Sequence, residues 1–225
     1  MPPASGRWVS VGAERLDGWL TRFAGRHGAT TWAAAEGAVT VTAEDGAVAE
    51  CRVPFPPLVA APGTAYGGIV AHAVADRRVG VLLVRLGGFA VGVFEGTRLV
   101  ESKVGSRQVH GRSAAGGWSQ QRFARRREGQ VKVALAAAAD LAATMLVPAA
   151  RSLDAVVLGG DRRSVETVLA DPRLAALRRL VAEPLLDVPD PRLKVLQGTP
   201  ALFRAVRILI TEPHEGPGPH SSSTH

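Results

Sequence analysis

Disulfides, thiolate metal sites and secretion are all poorly provided for in this chain, and each shortage closes off a class of function. Of its 225 residues only Cys51 is a cysteine, which excludes an internal disulfide and a zinc site built on several thiolates, and suits a reducing cytoplasm. Residues Met1 to Arg7 hold no apolar stretch of signal-peptide length. The longest apolar run, Val131 to Val147, is interrupted by Lys132 and Asp140 and reads as a buried helix too short for a bilayer. Three of the six histidines, His214, His220 and His225, fall in a closing stretch of Pro, Gly, Ser and His that cannot bury surface. No metal framework and no Ser-His-Asp or Cys-His arrangement is legible, so neither a metal nor a cofactor is expected. Lysine is nearly absent, 3 residues against 24 arginines, a bias that a GC-rich genome also produces, so arginine count alone says little. What informs is where the arginines gather.

They gather between residues 103 and 132. Lys103, Arg107, Arg112, Arg122, Arg125, Arg126, Arg127 and Lys132 stand there against Glu128 alone, so this segment carries the chain's whole net charge of +7 while the remainder balances, 19 basic against 19 acidic. A field gathered on one loop and the helix it feeds is the footprint of a protein that lays one edge against phosphates. The loop, Gly105 to Gly117, is polar, with Val109 its only sizeable apolar side chain, and a segment with so little to anchor it is expected to move. It runs directly into a densely cationic helix, Gly116-Gly117-Trp118-Ser119-Gln120-Gln121-Arg122-Phe123-Ala124-Arg125-Arg126-Arg127-Glu128.

That run resembles the loop and helix of the central domain of eukaryotic and archaeal class-one translation release factors, where Gly-Gly-Gln precedes an Arg-Phe-Ala-Arg-x-Arg-Glu helix. It is similar also to the bacterial branch of the Vms-type release-factor-like peptidyl-tRNA hydrolases, whose loop carries a Gly-Ser-Gln style sequence. The resemblance covers roughly residues 78 to 210. An ungapped alignment on the Arg-Phe-Ala-Arg helix puts Trp118 where release factors have glutamine; the Vms-type pattern, one residue longer, makes Ser119-Gln120 the counterpart. The resemblance therefore implies Gln120 as the catalytic residue with Gln121 in reserve, and Gly116, Gly117, Trp118 and Ser119 as the catalytic loop.

Elsewhere the pattern divides near residue 75. A helix is expected over Val11 to Arg26, with Leu16, Trp19, Leu20 and Phe23 on one face, then short strands at Thr31 to Ala35, Val39 to Thr42 and Val48 to Val53. Apolar runs at Val79 to Leu86 and Phe89 to Phe94, joined by a Gly87-Gly88 turn, and a strand at Arg98 to Val104 form a meander. There follow a helix from Ser119 to Val147, a strand at Asp154 to Leu158, helices at Arg162 to Leu169 and Arg173 to Val181, a strand at Leu185 to Val188 and a last helix over part of Arg192 to Ile210. The predicted fold is α/β: a ribonuclease-H-like mixed five-stranded sheet, as in release-factor central domains, behind a small N-terminal α+β domain. The expected domains are 1–75, 76–211 and a disordered tail, 212–225.

The implied activity is codon-independent hydrolysis of peptidyl-tRNA, releasing nascent chains from stalled ribosomes or large subunits by a glutamine inserted in the peptidyl-transferase centre. The expected partners are the large subunit with its ribosomal RNA, and peptidyl-tRNA, with no part for DNA or a membrane; the expected compartment is the cytoplasm. Arg122, Arg125, Arg126 and Arg127 would grip phosphates, with Arg107 and Arg112 on the inserting arm. Three other readings fit the same residues: a non-catalytic ribosome- or RNA-binding module, a tRNA-cleaving nuclease, and a structural protein whose arginines meet an acidic partner. A two-metal nuclease needs clustered carboxylates, yet the first strand of the sheet has none and the fourth offers only Asp154.

Overall fold

The computed structural model describes residues 6–61, 63–85, 88–106 and 118–213, the side chains of 106 and 118–128 apart. Within these residues the chain forms two compact units.

The first unit joins the residues up to Val74 with those from Arg204 onward. Its sheet runs β1 (Arg7–Val11), β10 (Val206–Thr211), β4 (Val48–Arg52), β3 (Ala38–Ala43), β2 (Thr30–Ala34), antiparallel throughout. The helix expected from Val11 begins later: β1 takes Arg7 to Val11, a 3-10 turn follows at Ala13–Arg15, and α1 spans Leu16–His27. Leu16, Leu20 and Phe23 of α1 bury against Val39, Val41 and Ile208 of the sheet, and Ile69 of α2 (Ile69–Val74) joins them. The last strand corrects the helix expected near the C-terminus. Val206, Ile208 and Ile210 are all buried while Arg207 is exposed, the period of two that β-branched residues favour. Residues 206–211 therefore complete the first unit's sheet, where the sequence division had assigned them to the second domain.

The second unit covers Ala75–Phe203. Its sheet runs β7 (Arg98–Ser106), β6 (Gly88–Glu95), β5 (Arg78–Arg85), β8 (Ala155–Gly160), β9 (Val181–Leu186); the first three are antiparallel neighbours, and β8 and β9 lie parallel to β5. This is the mixed five-stranded, ribonuclease-H-like order expected from the element sequence. The paired residues Arg85 and Gly88 leave 86–87, outside the described residues, as the connection, so Gly88 is a strand residue and not half of the expected turn. One face of the sheet carries α3 (Trp118–Ala149), α4 (Arg162–Leu169) and α5 (Ala175–Arg178), with Leu82, Val84 and Val91 packed against Ala138, Ala142, Leu146, Val165 and Leu177. Phe203 of α7 (Pro200–Phe203) meets Phe94 edge-on, ring centroids 5.9 Å apart, and Leu196 of α6 (Leu193–Gln197) is fully buried. The single helix expected over Arg173 to Val181 is shorter, because Asp171 caps a 3-10 turn at Pro172–Leu174 and Val181 already belongs to β9. Gly129–Ala149 of α3 is long and apolar enough to cross a membrane by length and composition, unlike the shorter run counted between charges, but its Ala138, Ala142 and Leu146 stripe is committed to the sheet.

Candidate functional site

β7 carries the chain to the basic segment. It runs parallel to β5, two strands away, and Ser106 at its end pairs with Gly88, which pairs in turn with Arg85. Arg85 ends β5, and its neighbour Val84 pairs with Gly160, the last residue of β8. The end of β7 therefore lies at the carboxyl ends of the parallel strands, the edge at which open α/β sheets hold their ligands. The base of the departure is tightly built. The Phe89 ring lies across Gly105, where any Cβ would overlap it, so this position in β7 accepts only glycine unless the ring moves. Gly105 and Ser106 are thus strand residues, and the polar loop expected from Gly105 begins two residues later.

From Trp118 the backbone is helical, and α3 is far longer than its support. Thirty-two residues make a helix about 48 Å long, against about 30 Å for the 9 residues of β7. Among the described side chains of α3, those from Gly129 on, the buried positions begin at Ala138, while Lys132 and Val133 are exposed. The C-terminal half is the sheet's cover. Trp118, Ser119, Gln120, Gln121, Arg122, Arg125, Arg126 and Arg127 occupy the first three turns of the helix by their backbone positions. Trp118, expected in the loop, already belongs to the helix, which was expected from Ser119. Arg107, Arg112, Gly116 and Gly117 lie outside the described residues. Lys103 on β7 and Lys132 on α3 are exposed. Arg173 fixes the packed half by reaching from the 3-10 turn to Asp140 of α3 at 2.8 Å while holding Asp171 at 2.7 Å.

The family model for the Actinobacteria/chloroflexi VLRF1 release factor matches residues 77–209, nearly the whole second unit and most of β10. The chain belongs to that family. Among solved structures it is similar to the archaeal translation termination factor aRF1, with a TM-score of 0.40 and 16% identity over 72% of this chain and 51% of that one. The chain thus spans about half the length of that structure, and the likeness is too slight to carry detail. No curated protein matches the chain.

In this VLRF1-family chain the same sheet edge holds groups that sequence reading passed over. Arg85 donates to the Val188 carbonyl, so its side chain bends across the ends of the strands. Asp161, directly after Gly160, accepts from the backbone N–H of Ser164 at 2.9 Å and from its hydroxyl at 2.6 Å, capping α4. Those two bonds, the hydroxyl's first, hold the Asp161 carboxyl below the usual carboxylate range. Arg162 and Arg163 stand exposed on the first turn of α4, at a helix end whose dipole disfavours cations. A Gly-Gly-Asp-Arg-Arg-Ser run after an apolar strand was the available signal, hidden because the second glycine ends the strand instead of opening a phosphate loop. Asp154, the one carboxylate considered for metal, accepts the Arg78 backbone N–H at 2.7 Å and so ties β8 to the start of β5. No cluster of three or more His, Cys, Asp or Glu side chains occurs among the described residues.

Proposed function

We propose that the chain is a release-factor-type peptidyl-tRNA hydrolase that works on the ribosome in the cytoplasm without reading a codon. The observation that carries this reading is a VLRF1-family body whose entire net charge gathers in residues 103 to 132, from the end of β7 to the start of α3. A covered sheet that feeds one concentrated cationic segment suits insertion of that segment into a confined, RNA-walled space. Arg122, Arg125, Arg126 and Arg127 neutralise phosphates of ribosomal RNA at the helix base, and Arg107 and Arg112 do so along the arm.

The substrate is the ester linking the nascent chain to the tRNA ribose. Its hydrolysis needs a positioned water, a route for a proton to the leaving hydroxyl and stabilisation of a tetrahedral oxyanion. A glutamine has no useful pKa for the proton transfer, but its amide donates and accepts at once and can orient a water. Gln120 takes that role, Gln121 being the alternative register, and Gly116 and Gly117 allow the backbone to approach RNA closely. Ribosomal RNA and the tRNA ribose supply the remaining groups. The arrangement asks nothing of DNA, a membrane, a metal or a cofactor.

Single-turnover release from ribosome-bound peptidyl-tRNA tests this. Gln120→Ala is expected to slow release about a hundredfold, the loss that misplacing a reacting group by about 1 Å produces, while ribosome binding and folding stability hold. Gln121→Ala should do less. Arg125→Ala/Arg126→Ala/Arg127→Ala should weaken ribosome binding and flatten its salt dependence by about one unit of slope per lost contact. Release by both glutamine variants and by the double variant at the wild-type rate would leave an RNA-binding module without hydrolase activity.

A further inference from the structure

We infer that the open face of the first unit's sheet is a second RNA site, one that takes single-stranded RNA by stacking a base on the Trp8–Arg207 pair. It stands apart from the loop chemistry and does not depend on which glutamine acts.

The sheet's two faces are unlike. Val11, Val39, Val41, Cys51, Ile208 and Ile210 point inward and are buried under α1 and α2. Their alternates point outward, and Trp8, Ser10, Thr42, Arg52 and Arg207 are all exposed. Trp8, on the edge strand β1, leaves 45% of its surface open. The Arg207 guanidinium lies 4.8 Å from the centre of its ring, and Leu209, the register partner of Trp8, leans across Gly6, where a Cβ would come within 2.6 Å of Leu209 Cδ1. The guanidinium thus stacks over the indole, and the planar surfaces of both are what unstacked bases stack on.

Arg207 has a simpler use, as a cover for exposed indole, but its other neighbour argues against that being the whole of it. Ile208 pairs with Cys51, so Arg207 and Arg52 stand side by side on adjacent strands of the outward face. Like charges so placed are destabilising, and Glu50, 2.8 Å from Arg52, offsets one of them. A phosphate beside the platform would neutralise both arginines. Elsewhere on the face Thr31, Thr40, Thr42 and Ser10 add small hydroxyl side chains, beside Ala33, Ala38 and Val48, that leave room for a strand of RNA, and the hydroxyls can meet its 2′-OH groups. A protein partner would ask for a broader apolar centre than Trp8 and Leu209 provide.

The test uses the full chain carrying Arg125→Ala/Arg126→Ala/Arg127→Ala, which removes the basic helix's share, and a fluorescently labelled oligouridylate in anisotropy titrations at low salt. Trp8→Ala is expected to weaken binding about tenfold, Trp8→Phe to restore most of it, and Arg207→Lys, which keeps the charge but not the plane, to weaken it nearly as much as Arg207→Ala. Thr31→Ala, on the same face at the far edge, should change nothing. Resistance of the Cys51 thiol to alkylation shows that each variant is folded. Equal affinity for Trp8→Ala, Arg207→Lys and the parent would overturn the inference, as would equal binding of the matching DNA oligomer or a Trp8-dependent dimer in sedimentation with RNA affinity unchanged. Because every comparison is made within a parent that already lacks Arg125, Arg126 and Arg127, none of these outcomes depends on the hydrolase reading.

Discussion

β5 and β6 of the mixed sheet are buried along nearly their whole length on both faces, six of eight residues in β5 and seven of eight in β6, whereas β4 and β10 of the antiparallel sheet alternate buried with open positions. The two sheets have the same number of strands, so the difference lies in how the faces are used. A sheet covered on both sides has nothing to offer a partner except its strand ends and the segments that leave them. The segment leaving β7 and the basic start of α3 are what such a body has to offer. A sheet covered on one side keeps a whole face for recognition, and there a tryptophan and two arginines stand in the open. One unit works by its edge and the other has a face to work with.

Substitutions that separate cover from display break the comparison most sharply. Leu146→Ala, at a position with no exposure in the helix covering the mixed sheet, is expected to cost about 2–5 kcal/mol because α3 cannot fully collapse into the void. Thr42→Ala, on the open face of the other sheet, should stay within about 0.5 kcal/mol. Urea unfolding followed for each variant decides it, and comparable losses would mean that the open face is packed against something after all.

Next in size is the base of the loop. Gly105→Ala forces the Phe89 ring aside, and because that ring is buried the strain should cost roughly 1–3 kcal/mol. Peptide release should fall further than stability, since the strand that launches the arm is displaced. A variant that melts lower yet releases nascent chains normally would show that the arm is not aimed by β7.

How far the sequence could be read follows the same division. The second unit's apolar runs were long, and the glycines around them marked four of its strands within about two residues, while β9 starts at Val181, four residues before the expected Leu185; Arg162 to Leu169 matches α4 end to end. β10 was misread because Leu202, Phe203, Val206 and Leu209 have helical spacing, while the strand's own signal, Val206, Ile208 and Ile210, is equally periodic. What decided between them was a pairing with β4 and β1, about 155 and 200 residues away in sequence, and no local pattern contains that. The first unit's open face was invisible for the same reason, since Trp8 and Arg207 meet only through that pairing. The basic segment was legible because charge needs no pairing to be counted, but the register of Gln120 against Gln121 rests on resemblance, not on spacing.

A smaller effect is expected where α4 starts. Asp161→Ala removes the cap from Ser164 and should cost about 1 kcal/mol, and it also removes the negative charge that faces Arg163 and Arg85. If those arginines serve the strand-end edge, RNA affinity rises slightly while stability falls; a parallel fall of both would assign the cap a purely structural part.

The smallest expected effect concerns the tie that holds the covering helix. The Asp171 carboxyl is held down at about 2, first by its side-chain bond with Arg173 and then by the Arg173 backbone N–H, and the same arginine reaches Asp140 on α3. A carboxylate whose folded pKa lies below its unfolded value of about 3.9 contributes stability that is complete above that value and is lost as the pH falls through about 2. All three side chains meet solvent to some degree, so salt screens the contribution and it is small. Arg173→Ala should therefore lower the melting temperature slightly at neutral pH, and the gap between variant and parent should narrow on acidification below about pH 4 and close further as Asp171 protonates. Melting curves across that range check the sign. A gap that stays constant with pH would mean that Arg173 steadies the helix by packing its stem and not by its charge.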